Sequence, residues 1–223
     1  MGSKPLVRPP RLTRGSRIAL VAPAGPLLER DDLTRAEALC RALDYEPVMG
    51  AHAGGHHGYF SGTDDARLAD LNAALRDPAV DAVWCIRGGY GVTRILDGVD
   101  FEALARRPRP VIGYSDITAL LAAVVRRAGM VAFHAPTARA EMPLFSRRHF
   151  ARVLTDPAPS GAFEALPPPA DVLVPQAGPD GWSVDTTTSP MAVVLKGATC
   201  ADVEKNGVQK VVIQYGCPTL ITR

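Results

Sequence analysis

Several features that would assign a function directly are missing from this 223-residue sequence. No stretch reaches the roughly 18 apolar residues that a membrane-spanning helix needs, and residues 1–17 contain no apolar run typical of a signal peptide. The formal net charge is only +2 and the basic residues are scattered, which argues against nucleic acid or an anionic membrane as a partner. Composition therefore favours an ordinary globular protein and leaves its function open.

Cysteine is scarce and has no metal-binding or redox spacing. The four cysteines form no C-x-x-C pair and have no histidines at metal-finger distances: Cys40, Cys85, Cys200 and Cys217. The first two lie in apolar periodic segments, which indicates buried free thiols and a reducing, cytoplasmic location. His52, His56 and His57 share a glycine-rich loop, but no carboxylate spacing supports a metal site. We expect no metal and no cofactor.

Short apolar segments alternate with amphipathic ones through the first two thirds of the chain. This alternation predicts an α/β fold, a Rossmann-like or flavodoxin-like parallel sheet flanked by helices. Ligands of such sheets bind beyond the carboxyl ends of the strands. The predicted strands are 17–22, 47–49, 80–86, 110–114 and 130–133, and the predicted helices are 31–43, 63–75, 92–96, 101–105 and 116–127.

The chain changes character after about residue 155. Seven prolines between 157 and 179 predict a linker over residues 156–181. Arginine supplies nearly every cation before the linker, whereas lysine predominates after it, which suggests a junction between sequences of different origin or a chance bias in a short tail. We therefore predict an α/β domain over 1–155 and an incomplete or altered, β-rich C-terminal domain over 182–223.

Gly113-Tyr114-Ser115-Asp116 lies between a predicted strand and a predicted helix. A serine at such a turn projects its hydroxyl above the sheet, close to the positive end of the following helix. The pattern departs from the hydrolase motif G-x-S-x-G, because Ile117 occupies the final glycine position. The alternative is that Ser115 or Asp116 simply caps the helix.

Arg87-Gly88-Gly89-Tyr90-Gly91 is a second turn at a strand end. Glycines allow the backbone to turn tightly and to bring an N–H group close to a ligand, as one arm of an oxyanion hole requires. A phosphate-binding loop is a weaker interpretation, since neither G-x-G-x-x-G nor G-x-x-x-x-G-K-[ST] is present. A purely structural turn is the remaining alternative.

The sequence resembles the amino-terminal half of the serine LD-carboxypeptidases, the muramoyltetrapeptide carboxypeptidase family. The resemblance lies in three segments that occur in the same order: 59–67, 84–91 and 112–120. The microcin-immunity peptidases are close relatives of that family. The resemblance covers roughly residues 14 to 155. It implies that Ser115 is the nucleophile and that backbone N–H groups of Gly89 (or Gly88) and Asp116 form the oxyanion hole. The implied reaction removes the terminal D-alanine from a murein tetrapeptide during cytoplasmic cell-wall recycling, without a metal.

Other residues near these motifs are candidates for substrate binding: Arg87, Tyr90 and His134. His134-Ala135-Pro136 stands where the family usually has a His-Gly-Pro turn, and the alanine puts a substrate contact there in doubt. A catalytic base is a second interpretation of His134, and a loop histidine bonded to backbone is the simplest.

The resemblance implies a triad whose glutamate and histidine come from the second domain, but no histidine follows His149 and only Glu204 lies near the expected glutamate. Serine is a weak nucleophile without a base, and losing that function costs on the order of 10³ to 10⁶ in rate. We therefore expect a catalytically impaired chain. The alternatives are a microcin-immunity type amidase and a non-catalytic peptide-binding remnant. An apolar face left open by an incomplete domain would favour a homodimer.

Overall fold

The structure, a computed structural model, describes residues 5–139, 142–156, 182–185 and 192–195. The chain divides into two compact units, Met1–Ala165 and Leu166–Arg223. Nearly all of the predicted linker lies outside the described residues, as do Cys200, Glu204 and Cys217. The domain limits given above therefore remain predictions.

The first unit contains a five-stranded, fully parallel sheet in the order β2-β1-β3-β4-β5. The strand order reverses between β1 and β3, the position at which open α/β sheets form a ligand-binding crevice. The predicted parallel sheet with flanking helices is confirmed. The strands are β1 (Arg17–Val21), β2 (Glu46–Met49), β3 (Ala82–Cys85), β4 (Val111–Gly113) and β5 (Phe133–His134), and the helices are α1 (Asp32–Ala42), α2 (Asp64–Arg76), α3 (Val92–Ile95), α4 (Phe101–Arg106), α5 (Thr118–Ala123) and α6 (Leu144–Thr155).

The central strands are short apolar runs because helices cover both faces of the sheet. All four residues of β3 and all three of β4 are buried. Alternate side chains enter two cores: Val83 and Cys85 face helices α2 to α5, whereas Ala82 and Trp84 face α1 and α6. The sheet thus fixes the carboxyl ends of β1, β3 and β4 side by side.

The two described cysteines are buried free thiols, as the apolar pattern predicts. Burial raises the pKa of Cys40 and of Cys85 to about 12. Neither thiol is therefore a nucleophile near neutral pH.

The helix predicted over 116–127 is not a single regular α-helix. It begins as a 3₁₀ turn, Ser115–Ile117, continues as α5, and ends as a π turn, Val124–Ala128, before Gly129 with φ 64°. Hydrogen-bond spacing of this kind is set by tertiary packing at helix ends, which apolar periodicity does not reveal.

Further differences from the sequence prediction occur at element ends. Helix α6 is not predicted by the sequence patterns, although Phe150 and Leu154 on it are buried. Strand β5 begins at Phe133 rather than at residue 130. Thr63 caps α2 by accepting a hydrogen bond from the Ala66 N–H at 3.2 Å, whereas the side chain of Asp31 makes no such bond for α1.

Asp32 is completely buried at the start of α1. Its carboxylate accepts hydrogen bonds from the N–H groups of Leu28 (2.9 Å) and Glu29 (3.1 Å) and from Arg35 at 2.7 Å. Burial by itself raises the pKa of Asp32, but the Glu29 and Leu28 amides and the Arg35 guanidinium together lower it below the usual value. The ionised form therefore stabilises this loop.

We expect Asp32 to contribute stability that acid removes. Its pKa is lower in the folded than in the unfolded state, so the contribution is present above the unfolded value of about 3.9 and is lost as the pH falls through the folded value. Urea denaturation between about pH 7 and pH 2 should show a smaller loss of stability in Asp32→Asn than in the wild type. Equal pH dependence of stability in the wild type and in Asp32→Asn would contradict the assignment.

The described part of the second unit is one antiparallel pair of strands, β6 (Trp182–Asp185) and β7 (Ala192–Leu195). In this register Trp182 lies opposite Leu195. Over the residues that the structure describes, no helix has the length and apolar character needed to cross a membrane.

Candidate active site

Ser115 lies in a sharp turn at the carboxyl end of β4. Tyr114 is fully extended, and Ser115 then adopts φ 64° with an exposed side chain. Positive φ is uncommon for residues other than glycine and costs on the order of 1–3 kcal/mol. Among the described non-glycine residues, only Asp44 and Ser115 have it. The turn therefore carries backbone strain at an exposed serine.

The helix-cap interpretation of this turn is not supported by the described residues. Neither the 3₁₀ turn nor α5 begins with a capping hydrogen bond from a side chain. The Asp116 carboxylate instead accepts a hydrogen bond from the Val92 N–H at 2.9 Å, at the far end of the glycine turn.

The glycine turn 88–91, which follows β3, packs directly against the serine. A Cβ atom at Gly88 would lie 2.7 Å from the Ser115 Cβ and 3.0 Å from its Oγ. Only glycine fits so close to the serine without displacing it. The structure thus brings together Gly88 and Ser115, which are 27 positions apart in the sequence.

The loop after β1 supports the glycine turn from the other side. The Gly25 N–H donates to the Gly88 carbonyl at 3.0 Å, and a Cβ atom at Gly89 would lie 2.9 Å from the Gly25 Cα. This contact crosses the point where the strand order reverses, between β1 and β3. The glycines of both loops permit the backbones to approach this closely.

A buried arginine joins these loops to helix α2. Arg67 is 2% exposed, and its guanidinium donates to the Gly91 carbonyl at 3.0 Å and to the Pro23 carbonyl. It also forms an ion pair with Asp64 at 2.5 Å. Arg94, and after it Arg67, lower the pKa of Asp64, which remains ionised between the two guanidinium groups.

The Phe60 ring packs against the guanidinium groups of Arg67 and Arg94. The guanidinium carbons of Arg67 and Arg94 lie 4.9 and 5.2 Å from its ring centroid, distances typical of cation–π contacts. The ring also lies against Gly91, where a Cβ atom would approach it to 2.6 Å.

The structure places the other predicted substrate-binding residues around this site. The Arg87 guanidinium donates to the Pro26 carbonyl, and Tyr90 is 75% exposed within the glycine turn. His134 lies on β5 rather than in a loop, and its exposed ring makes an edge contact with Tyr114 at 6.3 Å between centroids.

The histidine-rich loop forms no metal centre within the described residues. His52 pairs with the buried Asp70 through its Nδ1 atom at 2.8 Å, and its backbone N–H donates to the same carboxylate at 2.8 Å. Over the part of the chain that the structure describes, no group of three or more His, Cys, Asp or Glu side chains could hold a metal ion. Asp70 therefore fixes the loop that follows β2.

Sequence reasoning missed the residues that support the site. The sequence gives no role to the side chains of segment 59–67. In the structure Arg67 donates to the Gly91 carbonyl of the glycine turn, and Asp64 and Phe60 hold the Arg67 guanidinium. A signal was available: an arginine within an otherwise amphipathic helix, three residues after an aspartate, is a candidate for a buried ion pair. Nothing in the sequence indicates the contact of Gly25 with Gly88.

Comparison with known proteins matches the same part of the chain. Residues 18–135 match the family model described as the LD-carboxypeptidase N-terminal domain. A Streptomyces coelicolor protein predicted to be a carboxypeptidase is 49% identical over 137 residues, which are 60% of this chain and 44% of that protein. The murein tetrapeptide carboxypeptidase of Pseudomonas aeruginosa is 44% identical over 126 residues, which are 55% of this chain and 39% of that enzyme. The chain thus spans less than half the length of these relatives.

A solved structure has the same fold. The MccF-like protein of Bacillus anthracis superimposes with a TM-score of 0.63 at 26% identity, over 67% of this chain and 47% of that one. MccF of Escherichia coli is a microcin C7 self-immunity protein.

Proposed function

The chain belongs to the LD-carboxypeptidase family, and from this we propose that it supplies the nucleophile half of a serine-type peptidase site, with Ser115 as the attacking residue. The proposed substrate is a murein tetrapeptide, from which hydrolysis of an L,D bond releases the terminal D-alanine. The proposed setting is peptidoglycan recycling in the cytoplasm. The murein tetrapeptide carboxypeptidase of Pseudomonas aeruginosa supports this choice of substrate.

The observation that supports the proposal most directly is the exposed Ser115 at φ 64° beside Gly88. In the proposed reaction, the Ser115 Oγ attacks the scissile carbonyl carbon and the carbonyl oxygen becomes an oxyanion. Backbone N–H groups of Gly89 and Asp116 would donate to that oxygen. Collapse of the tetrahedral intermediate releases D-alanine, and water then hydrolyses the acyl-enzyme to regenerate the Ser115 hydroxyl.

The chemistry needs a base that takes the proton from Ser115 and returns it to the leaving amine. The sequence has no histidine after His149, in the half of the protein where the family resemblance places the base. We therefore propose that Ser115 still reacts slowly with phosphonylating reagents, because the oxyanion hole retains part of the rate enhancement, and that peptide turnover is strongly impaired.

The test combines a serine-directed reagent with the natural substrate class. Prolonged incubation with a fluorophosphonate, followed by mass spectrometry, should show one slowly formed covalent adduct on Ser115 in the wild type and none in Ser115→Ala. Release of D-alanine from a murein tetrapeptide should be roughly 10³-fold or more below the rates of complete serine peptidases.

Ser146→Ala is the matched control, because Ser146 lies on the regular helix α6 and should not affect labelling. An adduct that persists in Ser115→Ala, or no adduct in the wild type, would refute the nucleophile assignment. D-Alanine release at ordinary enzyme rates that disappears in Ser115→Ala would refute the proposed impairment and reveal an unrecognised base.

A microcin-immunity type amidase is the second candidate, favoured by the structural match to the MccF-like protein. The higher identities, 49% and 44%, are to proteins named as carboxypeptidases. Faster release from a peptidyl-nucleotide than from a murein tetrapeptide would reverse our preference.

A further inference from the structure

Both polar atoms of a single peptide group, the one between Gly91 and Val92, are held by charged side chains. The Gly91 carbonyl accepts a hydrogen bond from Arg67 at 3.0 Å, and the Val92 N–H donates to the Asp116 carboxylate at 2.9 Å. The carbonyl and N–H of a trans peptide lie in one plane and point in opposite directions. The two side chains therefore fix the orientation of this plane from both sides.

The two charged residues come from different parts of the fold. Asp116 directly follows Ser115, whereas Arg67 lies on α2 and is held by Asp64 and by the Pro23 carbonyl. The Gly91–Val92 peptide thus connects the loops that follow β1, β3 and β4.

This peptide ends the glycine turn that packs against Ser115. Gly89 and Gly91 have φ values of 113° and 105°, and glycine has many alternative conformations of similar energy. A side chain could not restrict the turn at position 91, because a Cβ atom there would lie 2.6 Å from the Phe60 ring. Hydrogen bonds to the backbone are the means that remain.

We propose that the side chains of Asp116 and Arg67 are positioning residues that clamp the Gly91–Val92 peptide and so hold the glycine turn ready to receive the oxyanion. This inference rests on the proposed function of Ser115. An oxyanion hole lowers the barrier only if its donors are already oriented before the reaction. Asp116 then has two separate roles, with its N–H facing the oxyanion and its carboxylate holding the opposite arm of the hole.

The first test measures the clamp without relying on catalysis. Asp116→Ala keeps the backbone N–H of residue 116 but removes the acceptor for Val92. Amide hydrogen exchange followed by NMR should show Val92 exchanging roughly ten- to a hundredfold faster, as expected for the loss of a charge-assisted hydrogen bond. Asp116→Asn retains an acceptor oxygen and should show a smaller increase. Asp65→Ala removes a nearby exposed carboxylate that touches no part of the turn, and should exchange like the wild type.

The second test measures what the clamp does. The rate of Ser115 modification by a fluorophosphonate should fall at least about tenfold in Asp116→Ala, recover largely in Asp116→Asn and stay unchanged in Asp65→Ala. Thermal melting of each variant shows whether the fold is retained. A purely structural role would lower the melting temperature without the recovery of the modification rate by asparagine.

Each outcome decides the proposal. Unchanged exchange of Val92 in Asp116→Ala refutes the clamp. Faster exchange with an unchanged modification rate refutes its positioning role. Absence of any Ser115 adduct in the wild type would instead refute the proposed function. In that case the exchange rates of the Gly88 and Gly89 amides in Asp116→Ala test the clamp, and both must rise together with that of Val92 if the clamp holds the turn.

Discussion

Gly88→Ala is expected to slow the modification of Ser115 by a fluorophosphonate roughly a hundred- to a thousandfold, because moving the turn away from the serine should cost about as much as losing one oxyanion-hole donor. Gly88 is not among the glycines with positive φ, so a left-handed backbone is not the obstacle to alanine at this position. The obstacle is steric: the new Cβ would lie 2.7 Å from the Ser115 Cβ and 3.2 Å from the Tyr114 carbonyl oxygen. Neither atom is the end of a flexible side chain, so the turn and the serine must move apart.

The control for this prediction is Gly54→Ala. The φ angle of Gly54 is also not positive, but a Cβ atom there would meet only the flexible Leu33 Cδ1 at 3.1 Å. This variant should react like the wild type. A Gly88→Ala protein that stays folded, by circular dichroism, and reacts at the wild-type rate would show that the turn does not receive the oxyanion.

Arg67→Met should lower the free energy of unfolding by about 3 kcal/mol in urea denaturation. The change leaves the Pro23 carbonyl without its charged donor and the Gly91 carbonyl with only the Arg94 N–H at 3.2 Å, and each buried hydrogen bond that is lost costs about 1–3 kcal/mol. Methionine keeps most of the apolar contact with Phe60. The Nε atom of Arg67 is buried without a hydrogen-bond partner among the described residues, a penalty that methionine removes, and this restrains the expected loss.

Arg94→Met provides a matched comparison. Arg94 contacts the same carboxylate and the same ring as Arg67, but its side chain is 57% exposed. Water replaces an exposed ion pair at little cost, so the stability of this variant should stay close to that of the wild type. Equal losses in the two variants would show that Asp64 and Phe60, rather than the buried carbonyls, account for the role of Arg67.

The sequence predicts the sheet well because its signal is local. A buried parallel strand must be a short apolar run, and segments such as β3 and β4 have this composition along with turn residues at their ends. The positions of Ser115 and the glycine turn at strand ends follow from the same pattern, since the carboxyl ends of parallel strands share one edge.

The features that the sequence does not predict depend on contacts between distant segments. The hydrogen bond of Asp116 to Val92 spans 24 residues, and that of Arg67 to Pro23 spans 44. Neither bond leaves a periodic signal. The helix predicted over 116–127 was too long for a related reason. Its apolar spacing fits a continuous α-helix, whereas the structure has a 3₁₀ turn before α5 and a π turn after it.

At Ser115 the protein loses thermodynamic stability to backbone strain in order to keep a hydroxyl at this turn. At φ 64°, glycine would have a lower conformational energy than any residue with a side chain, but it lacks the hydroxyl that serine provides. Selection for thermal stability alone would therefore favour Ser115→Gly, which relieves the backbone strain and removes the hydroxyl on which the proposed reaction depends. Stabilising mutations are better sought on the opposite edge of the sheet, away from the carboxyl ends of its strands.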